Sequence, residues 1–213
     1  VWNFVTERWQ QILFASYQHL SLVVQCLILA TVLAVIIAVL TARTPWLAGL
    51  ANGVSAVGLT IPSFAMIGLM IGPLGFGPLP SVVVVTFFAV LPILRNALVG
   101  LNGVPAATVE AARGLGMSRL RTLATVELPM AWPVIMSGIR VSAQMVMGVA
   151  AVAAFVLGPG LGTFIFNGLS RLGGANSLNS VVVGVVGVVI LALILDLALV
   201  GLSRLTIRRG LRV

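Results

Sequence analysis

LNGVPAATVEAARGLGMSRLRTLATVELPM, residues 101–130, is a polar, arginine-bearing interval between two long apolar stretches of an almost uncharged chain. Its local grammar is helical. Asn102 and Gly103 break the preceding apolar run, Pro105 suits the first turn of a new helix, and residues 106–113 are mostly good helix formers. Gly114 and Gly116 can end that helix, and Ser118 is a natural N-cap for a second one over residues 119–128, with Pro129 starting the next element. The interval therefore reads as a helix, turn, helix projection from one face of whatever the apolar stretches build.

What they build follows from composition. Of the 213 residues, 60% are hydrophobic and 8% charged, and mean hydropathy is +1.20. An ordinary soluble domain carries about a quarter charged residues, so this is an all-α integral membrane protein. Apolar runs of spanning length fall at residues 20–41, 48–71, 79–100, 131–157 and 181–203, which predicts five transmembrane helices. One membrane domain over residues 20–213 leaves residues 1–19 as an N-terminal interfacial helix, with Phe4, Trp9, Ile12, Leu13 and Tyr17 on a broad apolar face. His19, far from any other ligand type, reads as an interface residue. The start, VWNFVTERWQQILF, lacks the basic and apolar regions of a secretory signal peptide.

All twelve basic residues are arginine, and they mark topology, not nucleic acid. With the N-terminus outside, the inner segments hold Arg43, Arg113, Arg119, Arg121, Arg204, Arg208, Arg209 and Arg212, against Arg8 and Arg171 outside. Eight against two predicts an N-out, C-in orientation. Of the outer segments, GPLGFGPLP at residues 72–80 is a simple turn. The longer one, residues 158–180, holds Phe164, Ile165 and Phe166 between glycines, as a short helix tucked against the spans or a plain surface loop would.

Several chemistries are excluded. The chain contains no lysine, so neither GPGLG at residues 158–162 nor the glycines at 114 and 116 can be a nucleotide-binding P-loop. Neither a Ser, His and acid set nor an HExxH is present, and the lone Cys26 excludes a disulfide framework or a cysteine metal cluster. Catalysis, metal binding and cofactor binding by this chain alone are not expected.

Within residues 101–130, Glu110, Ala111, Ala112, Gly116, Leu128 and Pro129 sit at the spacing E-A-A-x3-G-x9-I-x-L-P, with Val126 in the isoleucine place. The chain resembles the permeases of ABC importers that carry this EAA loop, with a MetI-like type I fold. The resemblance implies that the first short helix is a coupling helix, which inserts into a groove on a separate ATPase. Glu110, Ala111, Ala112 and Arg113 would make the contact, Gly116 the turn, and Leu128 and Pro129 the return to the membrane. It also implies two ATPase subunits that hold ATP and Mg, a second permease copy or paralogue, a separate substrate-binding protein, and a bacterial inner membrane location.

The segments GLTIPSFAMIGL (58–69), LPILRNALVGL (91–101), ELPMAWPVIMSGIRVS (127–142) and GLGTFIFNGL (160–169) look like osmoprotectant permeases, which import glycine betaine, choline, carnitine and similar quaternary amines. A methionine-type amino-acid permease is the related alternative. An ion-coupled secondary transporter is the different class, although no internal repeat is visible and Asp196 is the one acid inside an expected span.

Arg95, Arg140 and Asp196 fall at membrane depth, where a lone charge costs about 2.5–3.5 kcal/mol. An Arg140 to Asp196 ion pair joining spans four and five is the first expectation. Ser137, Gly138, Ser142, Gln144 and Gly148 give the fourth span a small and polar seam. That seam is expected at a dimer axis or along a translocation path, with Ser142, Gln144, Met145 and Met147 as candidate path or gate residues. Quaternary ammonium groups are usually held by aromatic cages, and the one tyrosine and four tryptophans lie mostly near span boundaries. No cage is visible locally, which places specificity in the binding protein.

Overall fold

The computed structural model describes residues 1–207, and among these every regular element is helical. Arg208, Arg209 and Arg212, three of the arginines used for orientation, lie outside the described residues. Helix α1 runs Trp2–Thr41, 40 residues and about 60 Å, twice the about 30 Å of a hydrocarbon core. The boundary expected at residue 19 does not exist. From Trp2 to Thr41 there is neither Gly nor Pro, so nothing ends the helix, and its single local break is at Arg8 (φ −120°, ψ 16°). The first residues continue the same helix, with Phe4 buried against the bundle.

The expected second span is also corrected. It is two helices, α2 Pro45–Gly58 and α3 Ser63–Leu74, bent by 97° across residues 59–62. Pro62 explains the break. It lacks an N–H to donate and disfavours helical geometry at Ile61 before it, so the chain leaves the helix and restarts. By length and apolarity four helices can cross a membrane, or five if the bent pair is one span.

After a turn at residues 75–77, whose Gly75 and Gly77 have positive φ, α4 Pro78–Asn102 forms the centre of the bundle. It packs along α1 and along α7 Leu128–Val152. Small residues set the α4–α7 distance. A Cβ added at Gly138 would lie 2.6 Å from the Asn96 Cβ, and one at Gly100 2.9 Å from the Ala131 carbonyl oxygen, so backbones approach as only small residues permit. Gly138→Ala is expected to cost about 1–3 kcal/mol by overpacking. Thermal unfolding in detergent measures this, and Asn96→Gly in the same chain should recover part of it.

Pro129 lies in the first turn of α7, as expected from the sequence, but helical backbone runs into α7 without interruption. Helix α5 Ala106–Gly114 and the short α6 Arg119–Thr122 precede a π-helical turn, Leu123–Glu127, that runs straight into α7. The Leu128 N–H donates five residues back to the Leu123 carbonyl. That wider turn accommodates the missing donor and bulk of Pro129 without a break. At the far end α7 tightens into a 3₁₀ turn, Ala153–Val156, whose Val156 carbonyl accepts from Gly77 N–H at 2.8 Å.

Residues 158–180 do hold a short helix, α8 Gly162–Leu169, packed against the final helix α9 Ser177–Thr206. Ser180 Oγ donates to the Phe164 carbonyl at 2.8 Å, and the Phe4 ring meets Phe164 edge to face at 6.5 Å. His19 is not at an interface. It is fully enclosed, with Nε2 donating to the Met147 carbonyl at 3.2 Å. The space beside it exists because residue 160 is glycine, where a Cβ would lie 2.7 Å from Nδ1.

Candidate functional site

The projection at residues 103–127 is built by capping chemistry. Helix α5 starts after Pro105 and ends in a Schellman motif. Gly116 N–H donates to the Arg113 carbonyl at 2.9 Å, and Met117 N–H to the Ala112 carbonyl at 3.2 Å. Gly116 takes the left-handed conformation this motif requires, φ +84°. Ser118 then caps α6, its Oγ accepting from Arg121 N–H at 3.4 Å. Ala112 is the buried residue of α5, while Glu110, Ala111 and Arg113 are exposed. The E-A-A-x3-G spacing thus has a local physical reason. One alanine lets α5 lie close to the projection, the glycine turns the chain, and the glutamate and first alanine face outward.

Two residues of this surface were missed. Leu115 and Leu120, on either side of Gly116, are 81% and 79% exposed. Large apolar groups displayed on a polar loop mark a contact surface.

The base of the projection is tied to three spans. Arg43, just after α1, forms an ion pair with the nearly buried Glu127 of the π turn. Leu128 packs on the main core, and Pro129 is half-buried beside Trp132 and Thr206. Trp132 Nε1 donates to Thr206 Oγ1 at 2.9 Å, joining the start of α7 to the end of α9. The base of the projection is thus in contact with α1, α7 and α9. The Arg43 to Glu127 pair was not legible in the sequence, because its partners are 84 residues apart.

Deeper in the bundle, Arg140 Nε donates to Asp196 Oδ1 at 2.9 Å and its Nη2 to Oδ2 at 3.0 Å, a two-pronged contact between α7 and α9. Gln144, one turn along α7, reaches the same carboxylate. The expected path residues separate. Ser142 is fully buried and donates to the Ala89 carbonyl of α4 at 2.8 Å. Met147 is also buried, and Met145 is half-buried against the core. Ser142 and Met147 are thus enclosed in the α1–α4–α7 core in this conformation. Their positions on the helix turn them toward α4 and α1. The outward face of α7 is instead Ser137, Val141, Gln144 and Gly148, which recur at helical spacing.

A family model described as "binding-protein-dependent transport system inner membrane component" matches residues 30–208. The chain belongs to this family. Among its relatives is the carnitine transport permease protein OpuCB of Listeria monocytogenes, 38% identical over 197 residues, covering 92% of this chain and 88% of that one. The osmoprotectant import permease protein OsmW of Salmonella typhimurium is 39% identical over 203 residues, with 92% of each chain covered. The choline transport system permease protein OpuBB of Bacillus subtilis is 36% identical over 197 residues, covering 92% and 89%. The fold matches inward-facing structures of the MetNI methionine ABC transporter, with TM-score 0.76 at 22% identity over 92% of this chain and 96% of that one. This family member is accordingly a multi-pass permease subunit, non-catalytic by itself, with the chemistry of ATP left to other subunits of the transport system.

Proposed function

We propose that this permease forms the translocation path of an ATP-driven importer for a small quaternary-amine osmoprotectant such as glycine betaine, carnitine or choline. The observation that carries the reading is the α5 projection. It is a short helix aimed by a glycine-dependent cap, displaying Glu110, Ala111, Arg113 and Leu115 and braced onto three spans. Such an element receives force from a partner's groove and passes it into the bundle. ATP and Mg belong to two ATPase subunits that dock there, a second permease copy or paralogue completes the path, and a separate binding protein delivers solute. The substrate class is supported by the carnitine, osmoprotectant and choline permeases that are 36–39% identical over nearly the whole chain. Arginine placement supports an extracytoplasmic N-terminus and a cytoplasmic α5.

Proteoliposomes containing the permease, its co-purifying ATPase and its binding protein test this directly. Uptake of labelled glycine betaine, carnitine or choline is expected only with ATP and binding protein present. Uptake driven by an ion gradient without an ATPase would overturn the reading. For orientation, Arg171→Cys in intact cells should react with a membrane-impermeant maleimide, whereas native Cys26 is buried and supplies the background.

A further inference from the structure

Phe64, the second residue of α3, Phe155 in the 3₁₀ turn 153–156, and Phe166 of α8 come from three elements and meet as a chain of rings. The Phe64 and Phe155 centroids are 4.8 Å apart at 53°, and those of Phe155 and Phe166 are 5.8 Å apart at 54°. Phe64 and Phe155 remain 49% and 47% exposed on the protomer surface. Because their sequence positions share no local pattern, the cage sought among tryptophans and tyrosine was not visible in the sequence.

A second observation says which way this face points. Phe64 directly follows the α2–α3 break, and Thr60, Ile61 and Pro62 of that break are exposed. By length and apolarity α2 and α3 together make one broken span, and a break inside a span lies within the hydrocarbon layer. Irregular backbone at that depth occurs only where protein buries it or water reaches it, never against lipid tails. The break and its flanking rings, exposed on the protomer, therefore suit a protein-covered or water-filled space, such as a solute path between two permease subunits, better than lipid.

We infer that Phe64, Phe155 and Phe166 form a cation–π site for a trimethylammonium group in the translocation path. The inference rests on the substrate class proposed above and locates a contact for it inside the permease. A quaternary ammonium is large, weakly hydrated and clothed in methyl groups, so it gives up little water to lie on aromatic faces. A primary ammonium must surrender strong hydrogen bonds that phenylalanine cannot replace. Phenylalanine rings hold such a cation less tightly than tryptophan does. Weak holding suits a group that must move on, and the binding protein remains the place of tight selection.

The test reads the rings without requiring transport. Saturation-transfer NMR on the detergent-purified permease and ATPase complex compares tetramethylammonium with uncharged neopentyl alcohol. Wild type and Phe155→Tyr should give equal tetramethylammonium signals, and the Phe64→Leu, Phe155→Leu double variant should lose about fivefold or more, with neopentyl alcohol unchanged. Equal tetramethylammonium signals in wild type and the leucine variant would overturn the inference. So would a matching loss of neopentyl alcohol, which would mark the rings as a merely apolar patch. Failure here leaves the proteoliposome result untouched, and failure of osmoprotectant uptake leaves the ring measurement standing, so the two readings fail separately.

Discussion

Gly116→Val is expected to cut ATP-driven uptake at least tenfold while leaving the spans inserted and folded. The reasoning begins with a dihedral angle. At φ +84° an L-residue pays about 1–2 kcal/mol, and a β-branched one is worse placed still. Space is not the problem, since nothing lies within 4 Å of where a Cβ would stand. The cost falls on the Schellman cap, whose two backbone hydrogen bonds hold the end of α5 against the start of α6. A chain that escapes the strain by abandoning the left-handed conformation loses both bonds and re-aims the helix carrying Glu110, Ala111 and Leu115. The effect is far from any span, so insertion and melting temperature should change little. Gly116→Asn is the control, because asparagine tolerates this region and should retain most transport. The diagnostic measurement is ATPase activity beside uptake in the same proteoliposomes. The expected signature is hydrolysis that no longer responds to loaded binding protein. Wild-type uptake by the valine variant would remove α5 from the coupling role. Leu115→Asp and Glu110→Arg should reproduce the uncoupling by altering the contact surface while leaving the turn intact.

Asp196→Ala is expected to destabilise the folded permease by about 1–3 kcal/mol, between the ranges for an exposed and a buried ion pair. That range applies because the Arg140 side chain keeps 38% of its surface accessible. The two-pronged geometry, 2.9 and 3.0 Å, satisfies both charges across α7 and α9. Removing the carboxylate leaves a guanidinium with no acid on α9 to replace it, since the chain's other three acids are Glu7, Glu110 and Glu127. Asp196→Asn should cost less, because an amide oxygen can still accept one of the two bonds. The charge-swapped chain, Arg140→Asp with Asp196→Arg, should recover a large part of the loss. Melting in detergent and the yield of folded protein measure all four chains. A swapped double variant no better than the worse single variant would show that the pair does not organise α7 against α9.

The residues that determine function through local chemistry were legible in the chain itself. Apolar run length fixes a membrane protein, the lack of lysine removes a P-loop, and residues 101–130 encode a capped helix and turn within about twenty positions. Each of these depends on neighbours in sequence, which is why reading in order recovered them. Continuity was harder to read. Pro62 broke a span that apolarity alone made continuous, whereas Pro129 did not break the helix it was expected to start. The difference lies in whether a π turn was available to absorb the missing donor. Sidedness along α7 failed similarly. Ser142 and Gln144 differ by two positions and both look polar, yet one is pinned to the Ala89 carbonyl and the other faces outward. Helical phase gives their relative angle, but only the position of α4 says which direction is in.

The sequence by itself thus determined the class of molecule, its membrane spans to within their breaks, and the capped helix and turn of residues 101–130. Tertiary structure alone decided that His19 is enclosed, that Arg43 braces Glu127, and that Phe64, Phe155 and Phe166 share a face. The physical reason is one of range. Caps, turns and apolar runs are set by interactions over a few residues, whereas these contacts join positions from 11 (Phe155 and Phe166) to 128 (His19 and Met147) residues apart and exist only once α1, α3, α7 and α8 have packed.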